Sequence, residues 1–116
     1  MENPNLLPKK VLTLKTAEGY VFVDMCEIVR LEAERNHTLL FLTFQQTHIR
    51  LALNITEFEK KLPSNICLFR CHRSHIVNIK HIKQYKEKTR SLITINGEVP
   101  ISESNIKEFK EFLCKG

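Results

Sequence analysis

At 116 residues, 42% hydrophobic and with a formal charge of +5, the chain has the size of one domain and can bury a core without disulfide or metal support. Its apolar runs fall far short of the roughly 20 residues that a membrane-spanning helix needs. MENPNLLPKK has none of the features of a secretory signal, so the expectation is a cytoplasmic location in which Cys26, Cys67, Cys71 and Cys114 stay reduced.

Residues 1–10 read as a tail ahead of one domain over 11–116. The first elements are strands. "VLTLKT" alternates, Glu18-Gly19 turns the chain, and "YVFVDM" follows as a second strand. "EIVRLEA" and "TLLFLTF" come next, separated by the polar bend Glu34-Arg35-Asn36-His37, and Gln45-Gln46 leads into "THIRLAL". The pattern predicts a meander. A short helix interrupts it: Asn54 with Glu57 three residues on fits a capped start, Phe58 and Leu62 share a face, and Pro63 marks the stop. "ICLFR", "IKQYKE" and "SLITIN" are strand-like again, and Asn96-Gly97 signals a hairpin into "EVPI". Ser102 is placed to cap a last helix whose apolar stripe is Ile106, Phe109 and Leu113, widened by Phe112. The expected fold is mainly β, an elongated arrangement of small antiparallel sheets with one short internal helix and a C-terminal helix.

Charge is concentrated. From Ile66 to Arg90 the chain carries Arg70, Arg73, Lys80, Lys83, Lys86, Lys88 and Arg90 against the single acid Glu87, a local charge of +6. The remainder holds 11 basic and 12 acidic residues, so the excess lies in this one segment. A polyanion footprint explains such a patch, and a solvated basic face is the bland alternative. Neither helix offers a row of basic and amide side chains for a DNA groove. Function is therefore expected on loops.

The core of that segment, "FRCHRSHIVNIKHI", preceded by "EIVRLEAERNHTLLFL" and followed by "VPISESNIKEF", resembles the LytTR DNA-binding domain of bacterial transcription regulators. The resemblance covers about Leu12 to Leu113 and centres on Phe69, Arg70, His72, Arg73, Ser74, Ile76, Val77 and Asn78. It implies a sequence-specific, non-enzymatic and cofactor-free binder of double-stranded DNA. Two copies would occupy directly repeated half-sites on one face of the duplex and bend it. In this likeness His37, with Asn36 beside it, and Arg73 are the base readers, an imidazole and an Arg fork being suited to base edges. The likeness assigns Ser74, Lys88 and Arg90 to the phosphates, and Arg35, Arg70, Lys86, Ser104 and Lys107 are expected to join them. Asn78 would tie down backbone, while Ile76, Val77, Ile79 and Ile82 would bury the underside of a loop that projects Arg73.

Two departures stand out. Family members often carry an Arg at the start of the last helix, where this chain has Ser104, which shortens the reach of the third loop. Many relatives also place a phosphoacceptor receiver domain ahead of this one, and the residues before Val11 cannot hold it; a stand-alone regulator and an excised domain both fit. Other chemistries are weaker. Cys67, Cys71, His72 and His75 have zinc-like residue types without a paired C-x-x-C. Ser74-His75 and Cys71-His72 are sequence neighbours without a third group, so no enzyme is expected. A protein-interaction or sensory module would lack the reading residues, and an RNA binder would display aromatics that here read as core.

Overall fold

The computed structural model describes residues 11–45, 47–62 and 67–115. Among the described residues, ten strands form two antiparallel sheets. β1 (Val11–Thr16) and β2 (Gly19–Asp24) make a hairpin, a 3-10 turn follows, and β3 (Ile28–Glu34) pairs with β4 (His37–Leu42). β5 (Ile49–Leu51) runs beside β4, and α1 (Ile55–Lys60) leads on to β6 (Leu68–His72) and β7 (His75–Asn78). The second sheet is β8 (Ile82–Lys86), β9 (Ser91–Thr94) and β10 (Gly97–Pro100), before α2 (Glu103–Lys115) closes the fold. No helix among the described residues is long and apolar enough to cross a membrane. The body is elongated, 49 × 34 × 25 Å.

The expected fold class holds, with corrections inside it. The large sheet has the order β2-β1-β5-β4-β3-β7-β6, so the predicted meander breaks where β5 returns to pair with β1 through Thr16 and Leu51. The strand from Thr38 ends at Leu42, and Thr43 and Phe44 make the turn expected at Gln45-Gln46; Gln46 lies outside the described residues. α1 starts as expected, since the Asn54 side chain accepts from Glu57 N at 2.8 Å and the Glu57 carboxylate accepts from Asn54 N at 2.9 Å. Leu62 lies beyond its end and packs on the first core, and Pro63 is outside the described residues.

The largest correction concerns residues 75–78. Ile76 and Val77, read from sequence as burying the underside of a loop, lie with His75 and Asn78 in strand β7, hydrogen-bonded to β6 on one side and β3 on the other. Two hydrophobic cores explain the run of apolar residues. Leu68 and Ile76 face a core built with Leu14, Leu31, Leu40, Leu51 and Phe58, while Phe69, Cys71 and Val77 face a second with Leu92, Val99, Ile101 and Phe109. The β6–β7 hairpin is thus the wall shared by two cores and is buried on both faces. Asn78, fully buried, locks its far end: its side-chain Nδ2 donates to Ile28 O at 2.8 Å and its side-chain Oδ1 accepts from Lys80 N at 2.9 Å.

Candidate nucleic-acid interface

Strand register brings the predicted reading segments to one end of the large sheet. Glu34 pairs with His37 across a turn made of Arg35 and Asn36, and His72 pairs with His75 across a turn made of Arg73 and Ser74. β3 and β7 are neighbours, with Glu32 opposite His75, and Ala33 N donates to Ser74 O at 2.8 Å. The two turns therefore lie side by side. Arg35 adopts φ 56°, a left-handed conformation that costs an Arg more than a Gly or Asn and that the tight hairpin imposes. Arg35, Asn36 and Arg73 are exposed, and His37 and Ser74 are half-buried at their bases.

On the outer side of β6 the start of α2 extends this row. Ser102 N donates to Cys71 O at 2.9 Å, and the Ser102 hydroxyl, just ahead of the helix, accepts from Asn105 Nδ2 at 2.7 Å. Ser104 follows on the exposed first turn, its hydroxyl 3.4 Å from that of Ser102. The loop 87–90 joins the same neighbourhood: Ile101 N donates to Arg90 O at 3.0 Å, and the Arg90 guanidinium lies 3.5 Å from Glu103. Arg90 also takes a left-handed φ of 53°. Lys86, Lys88 and Lys107 are exposed around this junction. A cleft of about 680 Å³ runs between the β6–β7 turn and α2, bordered by Arg70, His72, Arg73, Ser104, Asn105 and Glu108.

The basic segment does not act as one patch. Lys80 sits in the 3-10 turn at the far end of β7, with the length of the strand between it and Arg73. Arg70 is drawn inward: Nε donates to His72 O at 3.0 Å, one terminal nitrogen to Glu59 Oε1 at 2.7 Å and the other to Arg73 O. With its side chain only 22% exposed and its charge opposed by a carboxylate, Arg70 is an internal brace of the hairpin, where a phosphate contact was expected. Sequence reasoning missed Glu59 altogether, since nothing in the chain around α1 points toward β6.

Beneath the β6–β7 turn lie two imidazoles. His72 Nδ1 accepts the Ser74 N–H at 3.1 Å, and the His72 and His75 rings meet edge to face at 5.4 Å. His75 Nδ1 is buried and has no hydrogen-bond partner. Burial pushes the His75 pKa below its ordinary value; Glu32 opposes that shift, and His72 and Arg30 add to it. Cys71 is fully buried, and loss of solvent raises its thiol pKa to about 12, so it is a poor nucleophile and metal ligand at neutral pH. Among the described residues no three His, Cys, Asp or Glu side chains converge as metal ligands.

The aromatic residues divide. Phe58, Phe69 and Phe109 are core, as expected, and Phe112 packs edge-on against Phe69 at 5.2 Å. Tyr20, Phe22 and Phe44 are exposed, contrary to the reading of the aromatics as core. Tyr20 and Phe22 lie on β2, the outer strand opposite β6, and alternate with Val21 and Val23, which join the first core.

Comparison with known proteins agrees with this fold. The sequence profile of the LytTr DNA-binding domain matches residues 18–114. The chain belongs to the LytTR family. A LytTr DNA-binding domain of a putative methyl-accepting/DNA response regulator from Bacillus cereus superposes with a TM-score of 0.72 at 35% identity, covering 90% of this chain and 97% of that one. The transcriptional regulatory protein YpdB of Escherichia coli K12 is 34% identical over 107 residues, and the sensory transduction protein LytT of Bacillus subtilis is 32% identical over 106. Each match takes 88% of this chain but 43% of the relative, so the chain spans less than half the length of these LytTR regulators.

Proposed function

We propose that this LytTR domain is the sequence-reading part of a transcription regulator and holds double-stranded DNA along the row formed by the turn 35–37, the turn 73–74 and the start of α2. The observation that carries this reading is the Ala33–Ser74 hydrogen bond, which sets the two turns side by side at one sheet end. Arg73 offers a fork to guanine O6 and N7, and His37 and Asn36 offer donors and acceptors to a second base edge. Arg35, Ser74, Lys86, Lys88, Arg90, Ser104 and Lys107 surround them as phosphate partners that position without reading. Ser104 has only a hydroxyl at the helix start, so two loops per domain carry sequence preference and the third serves the backbone.

In the same reading, two copies occupy directly repeated half-sites on one face of the duplex and bend it between them. Selection from a pool of random duplexes tests the reading. The expected product is a repeated motif with half-sites about 10 to 10.5 base pairs apart or a multiple of that spacing. Recovery of an unenriched pool, with binding that tracks salt alone, would leave a domain of this fold with no specific DNA target.

A further inference from the structure

Arg70 makes three hydrogen bonds with one planar group, and two of them go to consecutive backbone carbonyls, those of His72 and Arg73. The third goes to Glu59 on α1, whose own side chain is nearly half exposed. We infer that Glu59 and Arg70 are positioning residues for base reading: α1, which contributes nothing to the reading row, fixes the direction in which Arg73 leaves its turn. The inference rests on the reading of Arg73 as a base contact.

A bidentate contact to a base edge tolerates only small displacements, so the turn beneath Arg73 must be held as firmly as the strands that flank it. The turn has only two residues, and the ladder below it is irregular, with a register shift between Arg70 and His72. A rigid guanidinium that grips both carbonyls replaces the missing ladder contacts. Lys in its place, a single ammonium on a flexible stem, cannot hold that fork. Glu59 offsets the burial of the charge and points it inward; without the carboxylate, Arg70 is free to turn to a phosphate of bound DNA. The brace therefore separates two quantities that ordinary loss of structure lowers together: affinity for any duplex, and choice among duplexes.

That separation supplies the test. Arg70→Lys, Glu59→Ala and Arg73→Ala are compared on the duplex recovered by selection, on copies of it altered one base pair at a time, and on a random duplex of equal length. Arg70→Lys and Glu59→Ala are expected to lower discrimination roughly 3- to 10-fold at the same base pair that Arg73→Ala affects. Random-duplex affinity should stay the same for Arg70→Lys and rise for Glu59→Ala, which removes a negative charge. Wild-type discrimination in both, beside a loss in Arg73→Ala, overturns the inference. Should Arg73→Ala itself discriminate normally, the base-contact assignment of Arg73 is what fails. Amide exchange at Ser74 then decides the brace: faster exchange in Arg70→Lys and Glu59→Ala sustains it, and unchanged exchange ends it.

Discussion

Arg70 and Arg73 stand three positions apart in one hairpin, and their surroundings give them different work. Arg73 is exposed at the turn, whereas three acceptors enclose the Arg70 guanidinium. Arg73→Ala is accordingly expected to cost about 1 to 3 kcal/mol on the preferred duplex and much less on random DNA, because it removes a base contact. His37→Ala should do the same at another base pair; titrations on both duplexes measure the difference, and equal losses would mean that these residues serve the backbone. His75 contributes in another way. Its folded pKa is depressed from 6.5, so below about pH 6.5 the unfolded chain takes up the proton first and stability falls as pH falls toward the folded value. His75→Phe keeps a ring in the same space and removes the titration. Thermal unfolding followed from pH 7 downward should show a shallower acid decline in that variant than in the wild type.

Elements combine these residues into a surface. The loop 87–90 carries Lys88 and Arg90, and Lys86 ends the strand before it; none of them shares the enclosure that removes Arg70 from solvent. If about four to five phosphates are neutralised along this row, log K should fall against log salt with a slope of about −4. Lys88→Ala with Arg90→Ala should flatten the slope by roughly 2 and leave base preference intact, while an unchanged slope would put the duplex on another face. Much of this was legible in the sequence. The alternation of "VLTLKT" and the Asn54–Glu57 capping pair are local signals, and both elements formed where they were expected. β7 was not legible, because His75–Asn78 is buried on both faces by different cores and so lacks the period-2 pattern of a half-exposed strand. The return of β5 to β1 rests on the single pair Thr16–Leu51, and the Arg70–Glu59 contact joins residues 11 positions apart on different elements. Neither leaves a periodic trace.

Over the whole molecule, a polar joint adds to the second hydrophobic core in holding the two sheets together. Arg30, 9% exposed on β3, stacks its guanidinium 3.7 Å from the centre of the Phe41 ring, pairs with Glu32 at 3.2 Å and donates to the Asn96 side chain at 3.2 Å. Gly97, at φ +146°, lies against it; a Cβ there would meet the guanidinium at 3.1 Å, so only glycine passes at this point without strain. Through this contact the hairpin of β9 and β10 is registered against the sheet that carries the reading turns, and the loop 87–90 with it. The proposed reading row then lies at one end of an elongated body, and β2, with Tyr20 and Phe22, is the outer strand on the far side of the sheet from β6. Backbone amide chemical shifts during titration with the selected duplex test that claim most directly. The largest changes are expected at residues 35–38, 73–75, 88–90 and 102–107, with Phe22 undisturbed. Changes centred on β2, with the two turns silent, would contradict it.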